Sequence, residues 1–340
     1  MAPEELPRAW GDPACRARIR SRPADFQVDE VLGFEPAGAG GHIFLEVRKT
    51  GLDSHEVARR LARFAGVAVR DVGLSGLKDR DAVTTQWFSL PAPKQGDPSW
   101  DAFAEAGIEV LAVTHHGRKL RRGVHRRNRF RLVLREFAGD ASDLEARVAR
   151  VAAAGVPNYF GAQRFGRDGG NLEEARRLLA GEIRVRDRRL RGIYLSAARS
   201  HLFNRVLARR VEAEAWDRPL AGDVMNLDGR HGMFTVVEVD EEIGERSRAG
   251  EIHPTGPLWG RGGMVAGGAA AEHERAALAD LGWWCDALEG FGLDMDRRAL
   301  RLNVEGLTLE EGPEGSLVLG FELRSGAFAT TVLRELISVA

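Results

Sequence analysis

Two cysteines, Cys15 and Cys285, stand near opposite ends of the 340-residue chain and form no CxxC pair, so neither a disulfide framework nor a cysteine zinc site can be built from them. No stretch approaches the ~18 uninterrupted apolar residues of a spanning helix. The chain opens Met-Ala-Pro-Glu-Glu, acidic where a secretory leader is basic and then apolar. A cytoplasmic protein without membrane contact is expected. The common catalytic signatures are missing too. There is no Walker A loop, no HExxH and no GxSxG elbow, and Gly166-Arg-Asp-Gly-Gly lacks the spacing of a dinucleotide turn. The nine histidines pair closely only at His115-His116, whose side chains diverge if the segment is a strand. Metal, nicotinamide and serine chemistry therefore find no support, and nucleophilic work, if any, falls to a carboxylate.

Charge of one sign is not lacking overall, since 49 basic residues face 50 acidic ones for a net of −1. The basic residues are unevenly spread, and lysine supplies only four of them. Gly117 to Arg131 carries Arg118, Lys119, Arg121, Arg122, Arg126, Arg127, Arg129 and Arg131 with no acid. Arg184, Arg186, Arg188, Arg189 and Arg191 surround a single Asp187, and Arg16, Arg18, Arg20 and Arg22 alternate as one face of a strand would. Planar guanidinium forks suit phosphate oxygens, so the clusters raise a nucleic-acid partner. A single cluster reads more readily as a solvated face, and three in one chain bring the two readings level.

Periodicity gives the organisation. Phe26 to Leu32, His42 to Lys49, Ala82 to Leu90 and Ile108 to Thr114 read as strands, and Ser54 opens a helix with Val57, Leu61 and Phe64 on one face before Gly66. Phe130, Leu132 and Leu134 alternate with arginines in a half-buried strand, and Asn128 falls on its apolar face. A helix over Ser142 to Ala153 stops at Gly155 and Pro157, a domain edge. Helices are predicted from Asn171, over Ser196 to Trp216, and over Glu272 to Leu288, with a hairpin near Asp228-Gly229. Strands resume over Ala299 to Leu309 and Ser316 to Leu323, ahead of a last helix through Val332, Leu333 and Leu336. Strands, then helices, then strands favour an α+β fold with the middle inserted into the outer part.

The carboxylate to examine lies in Gly73-Leu-Ser-Gly-Leu-Lys-Asp-Arg-Asp-Ala-Val-Thr-Thr-Gln-Trp-Phe. Two glycines let the backbone turn tightly and a ligand approach. Asp79, flanked by Lys78 and Arg80, tends to stay ionised, as nucleophilic or general-base work requires. The same segment also reads as a charged surface turn. Asp79 with Asp81 on one strand face is a weaker, glycosidase-like alternative.

Gly76-Leu-Lys-Asp-Arg80 followed by Ala82, Thr84 and Gln86 resembles the catalytic motif of the TruD family of tRNA pseudouridine synthases. So do Val156-Pro-Asn-Tyr-Phe-Gly-Ala-Gln-Arg-Phe-Gly166, Leu195-Ser-Ala-Ala-Arg-Ser200 and Ser325-Gly-Ala-Phe-Ala-Thr-Thr-Val-Leu-Arg-Glu335, in family order along nearly the whole chain. The resemblance implies the mixed sheet of pseudouridine synthases flanked by helices, with an inserted TruD-specific α+β domain at 156–301 and a catalytic domain made of 1–155 plus 302–340. It implies isomerisation of uridine to pseudouridine in tRNA, at position 13, by a monomer with no cofactor, metal or protein partner. Asp79 takes the place of the family's catalytic aspartate. Addition to C1′, addition to C6 and removal of the 2′ proton all remain open for it. The target base must leave its stack. By the same resemblance Phe26, Asn128 and Phe328 bind it, Phe130 fills the place where other pseudouridine synthase families carry a tyrosine, Lys78 belongs to the binding set, and Arg20 pairs with Asp79. A non-catalytic RNA-binding protein, or a synthase acting on another RNA, is the rival reading.

Overall fold

A computed structural model describes residues 6–93, 96–230, 232–263 and 265–339. The chain forms two compact units. The first consists of Ala14–Val148 and Val304–Ala329 with the residues from Ile337 onward. The second consists of Ala149–Asn303 and Thr330–Leu336 with the residues up to Pro13. Both mix helix and strand, and the class is α+β. Among the described residues no helix is long and apolar enough to cross a membrane.

The first unit is organised by a ten-stranded mixed sheet. Its first strands are β1 (Cys15–Arg18), β2 (Phe26–Val31), β3 (His42–Thr50), β4 (Gly73–Leu74), β5 (Val83–Pro91), β6 (Ile108–His116) and β7 (Arg127–Gly139). The path runs from Glu305–Glu311 through Leu317–Arg324, β7, β2, β5 and β3 to β6. Only β2 with β5 and β1 with Ser338–Val339 pair in parallel. Alternation decides the faces: Ile43, Leu45 and Val47 of β3 and Phe88 and Leu90 of β5 are buried against Val57, Ala58 and Leu61 of helix α1 (Ser54–Ala65). Covering this apolar face is the main driving force for docking α1, at ~25 cal/mol per Å² removed from water.

Helix α1 begins one residue later than its cap, because the Asp53 carboxylate accepts from the His55 and Glu56 amides. Ser54 is thereby freed for a buried role. The helix ends at Gly66, whose φ of +66° is left-handed. Phe64 is not on the buried stripe as predicted. It lies at the edge of that core, its ring 5.3 Å from Trp100 and 5.1 Å from Phe103.

Register brings β2 and β7 together as the floor of one region. Phe26 pairs with Leu132, Val28 with Phe130 and Glu30 with Asn128. On the far side of β7, Phe321 pairs with Phe130 and Leu323 with Asn128. Thr84 of β5 is in register with Val28 on one side and Lys49 on the other, so these residues share a face.

Four elements differ from the sequence expectation. The strand read over Ala299 to Leu309 is three, Asp296–Ala299, Arg301–Leu302 and Glu305–Glu311, with different partners. The alternating arginines do not line one long strand. Arg16 and Arg18 are outward in β1, but the strand ends there and Arg20 adopts a left-handed φ of +58°. The Glu272 to Leu288 helix is two, Gly268–Leu278 and Gly282–Gly290, broken at Ala279–Leu281. The helix predicted from Ser196 starts earlier and spans Arg188–Glu212, because Asp187 caps it through the Arg189 and Leu190 amides.

In the second unit, Phe203, Leu207 and Val211 of this long helix pack with Tyr159, Phe160 and Trp216. The opposite stripe, Leu195, Leu202 and Val206, meets Leu178, Leu278 and Leu288. A four-stranded antiparallel sheet, Met233–Thr235, Val224–Leu227, Ile252–Leu258 and Asp296–Ala299, completes it. Gly155, at φ +75°, lets the chain pass Leu302, where a Cβ would lie 2.4 Å from the Leu302 carbonyl oxygen.

Candidate active site

Ser75 to Ala82, between β4 and β5, has no regular structure, so Asp79 and Asp81 do not share a strand face and the two-carboxylate alternative loses its geometry. The loop is held from below by a relay of buried groups. The Lys78 amide donates to Ser54 Oγ at 3.0 Å, the Ser54 hydroxyl donates to Gln86 Oε1 at 2.6 Å, and Gln86 Nε2 donates to the Gly76 carbonyl at 3.2 Å. Arg80 Nε reaches the Gly51 carbonyl at 3.3 Å. A Cβ added at Gly76 would stand 3.0 Å from Cε1 of His125, so a side chain there would have to push the buried ring aside.

Lys49 supplies the strongest anchor. It is fully buried, and its Nζ donates to the main-chain carbonyl of Asp79 at 2.7 Å. Burial pushes the Lys49 ammonium down to about 8, while Asp79 and Asp53 pull the other way. The Asp79 main chain is thus fixed, while its side chain keeps 57% of its surface exposed.

The carboxylate itself has one partner. Arg20 Nη2 donates to Oδ2 at 2.7 Å, and no hydrogen bond to Oδ1 occurs among the described residues. The Arg20 guanidinium also lies 3.9 Å over the ring of Phe26. Phe26 meets the edge of Phe130 at 6.3 Å, and Phe130 stacks on Phe321 at 5.2 Å. Asp79, Arg20, Phe26 and Phe130 therefore form one continuous run of contacts. The left-handed backbone at Arg20 costs ~1–3 kcal/mol, strain of a kind that clusters at functional sites.

A second run lies behind it. Lys78 turns its ammonium inward to Oε2 of Glu30 at 2.8 Å, with both side chains buried. Glu30 Oε1 accepts from the Trp87 amide at 3.3 Å, and Oε2 stands 3.9 Å from Nδ1 of His125. His125 Nε2 faces Nδ2 of Asn128 at 3.4 Å. Burial, and then the Lys78 charge, hold the His125 ring below the ordinary histidine range. Phe328 is half-buried in the loop after Leu317–Arg324, and no ring contact joins it to Phe26 or Phe130 among the described residues.

The predicted residues Arg20, Phe26, Lys78, Asp79, Asn128 and Phe130 thus all lie in these two runs. Sequence reasoning missed Lys49, Glu30 and His125. One signal pointed to Lys49: lysine occurs four times in a chain that otherwise uses arginine, and a compact ammonium fits a buried slot that a guanidinium does not. An open cleft of about 610 Å³ borders Asp79, lined by Asp53, His55, Arg59, Leu77 and Arg80 among others. In the same unit Arg118, Arg121, Arg122, Arg126 and Arg131 are exposed and make no ion pair among the described residues.

The sequence matches the family tRNA pseudouridine synthase D (TruD) over residues 7–184 and 170–336. A protein of Methylococcus capsulatus named tRNA pseudouridine synthase D is 52% identical over 334 residues, covering 98% of this chain and 94% of the relative. A protein of Nitrosococcus oceani with the same name is 47% identical over 330 residues, covering 96% of this chain and 92% of the relative. The solved structure of a TruD protein from Methanosarcina mazei superposes with a TM-score of 0.73 at 23% identity, covering 100% of this chain and 96% of that one, a likeness of fold.

Proposed function

The chain belongs to the TruD family of tRNA pseudouridine synthases, and from that premise we propose that it isomerises uridine to pseudouridine at position 13 of tRNA with Asp79 as the catalytic carboxylate. The reaction breaks the bond from N1 to C1′, turns the uracil, joins C5 to C1′, releases the hydrogen of C5 and protonates N1. The observation that carries the reading is the state of Asp79: a half-exposed carboxylate with Oδ1 open, its Oδ2 held by Arg20 and its main chain held by Lys49. A group positioned in this way meets the sugar without reorganising.

The floor beside it suits a flipped base. Phe26 and Phe130 offer an apolar wall, and Asn128 offers an amide for the uracil edge. Arg20 covers the Phe26 face while it holds Asp79, so the base enters beside the guanidinium, against Phe130 and Asn128, and the ion pair to Asp79 is kept. Lys78 acts through Glu30, and Phe328 closes the pocket from the loop. We assign residues 1–155 with 302–340 as the catalytic domain and 156–301 as the inserted TruD domain, acting together in the cytoplasm as a monomer without cofactor or protein partner. Exposed arginines of the 118–131 segment, and Arg184, Arg186, Arg188 and Arg189 of the second unit, are the proposed phosphate contacts.

Tritium at uracil C5 tests the reading. Transcript tRNA labelled at C5 of uridine should release one equivalent of tritium to water with the wild-type protein and none with Asp79→Asn. Retained label with both, at protein concentrations that saturate the tRNA, contradicts it.

A further inference from the structure

The region behind Phe130 holds a polar atom with nothing to bond. Asn128 is 8% exposed, and its Oδ1 is buried without a hydrogen-bond partner among the described residues, although Nδ2 is engaged by His125. A buried amide oxygen left bare costs free energy that packing alone does not return, so such an atom asks for a ligand.

His125 decides which end of the amide is left over. Its two ring nitrogens face different groups. Nδ1 looks toward Oε2 of Glu30 at 3.9 Å, an acceptor only, and toward Ser325 Oγ at 3.5 Å, a hydroxyl that turns to suit either tautomer. Glu30 cannot swing away, because Lys78 and the Trp87 amide hold its two oxygens. A neutral imidazole has one N–H, and a fixed carboxylate beside Nδ1 draws it there. Burial and then the Lys78 charge outweigh the Glu30 charge and a hydrogen bond to the Ser75 main chain, so the ring is held below the ordinary histidine range and neutral at pH 7. Nε2 is then an acceptor, and an acceptor takes the NH₂ end of Asn128 and turns the oxygen away.

We propose that His125 is a specificity-positioning residue, which by accepting from Asn128 Nδ2 presents Asn128 Oδ1 to the N3–H of uracil and so selects uridine over bases that cannot donate at N3. The inference rests on the reading that Asn128 lines the target-base pocket. Uracil supplies the missing donor. Cytosine offers a lone pair at N3, which repels Oδ1, and N3-methyluracil offers a methyl group; either leaves the oxygen unpaired inside a dry pocket. Glu30 and Lys78 are the remote end of the same device, because they fix the tautomer that fixes the amide.

The test compares single-turnover rates on tRNA carrying uridine or N3-methyluridine at the target position, for the wild-type chain, His125→Leu and Asn128→Ala. The wild type should prefer uridine by on the order of 100-fold, as expected when a buried acceptor is denied its donor. Asn128→Ala should collapse that ratio, and His125→Leu should shrink it by roughly tenfold while tRNA affinity is unchanged. A collapsed ratio in Asn128→Ala with an intact one in His125→Leu overturns the role of His125 and keeps the pocket. An intact ratio in Asn128→Ala removes Asn128 from the base edge and the pocket reading with it. Nitrogen-15 histidine spectra of the wild-type chain give a readout that survives misfolding of either variant. A neutral ring protonated at Nδ1 is expected for His125, and an Nε2–H tautomer or an imidazolium at pH 7 overturns the proposal.

Discussion

The ammonium of Lys49, a fully buried residue, stands 2.7 Å from the main-chain carbonyl of the exposed Asp79. A cation that lies in the core of β3 by its alternation is thereby fixed to the backbone of the one residue whose side chain must stay open.

This contact predicts a pH limb. Burial pushes the Lys49 ammonium from an ordinary 10.5 down to about 8, with the Lys78 charge adding to the fall and Asp79 and Asp53 opposing it. Turnover should therefore fall as pH rises through 8 and the charge beside Asp79 is lost. Lys49→Met, uncharged and similar in length, should lack that limb and run ~10- to 100-fold slower at its plateau, the worth of a hydrogen bond to a charged group. Stability carries the opposite sign. The folded state binds the proton less tightly than the unfolded chain, so Lys49 costs stability below pH 8 and that cost fades toward pH 10.5. Thermal unfolding should show the wild type gaining on Lys49→Met across this window.

Arg20→Ala separates catalysis from stability. The ion pair is exposed, 34% at Arg20 and 57% at Asp79, so its loss should change stability by no more than ~1 kcal/mol. The same change releases Asp79 Oδ2, while alanine keeps the Cβ and with it the left-handed strain at φ +58°, so turnover should drop by roughly tenfold or more through the lost contact to the carboxylate. A melting temperature within a few degrees of wild type and an unchanged rate would show that Asp79 does not depend on Arg20.

Phe130 is buried between Phe26 and Phe321, and Phe130→Ala should cost ~3–5 kcal/mol, enough to unfold much of the protein. Phe130→Leu keeps most of the volume and should cost less than ~1.5 kcal/mol. Its turnover should still fall, because a branched aliphatic chain does not give a base a flat wall. Equal rates for Phe130→Leu and wild type would place Phe130 in the core alone.

Arg118, Arg121 and Arg122 should act on affinity only. Replacing all three with serine should lower the slope of log affinity against log salt by ~0.7–0.9 for each phosphate that is no longer neutralised, with turnover at saturating tRNA unchanged. Charge reversal at Arg184, Arg186, Arg188 and Arg189 should likewise weaken tRNA binding. Unchanged affinity and salt dependence in filter binding would remove those residues from the RNA-facing surface.

The strands and α1 were legible because their apolar residues recur with the right period, as in Phe130, Leu132 and Leu134 of β7. The motif singled out Asp79, and the structure places its carboxylate beside Arg20, the expected partner, and Arg20 over Phe26. The start of the long helix was not, since Arg188 to Arg191 carry no apolar stripe and the cap at Asp187 was read only as charge among arginines. Arg20 followed an alternation that the backbone abandons at φ +58°. Lys49, Glu30 and His125 were hidden for one reason: each sits where a core residue sits, and only the groups brought opposite by register, Thr84 beside Lys49 and Asn128 beside Glu30, disclose a polar site.

The most direct test of Asp79 as the catalytic carboxylate is carbodiimide primer-extension mapping of unmodified tRNA treated with wild-type protein or Asp79→Ala, with tRNA affinity measured for both. A stop at position 13 with the wild type only, at equal affinity, is the predicted result. A stop that persists with Asp79→Ala, or none with either protein despite bound tRNA, contradicts it.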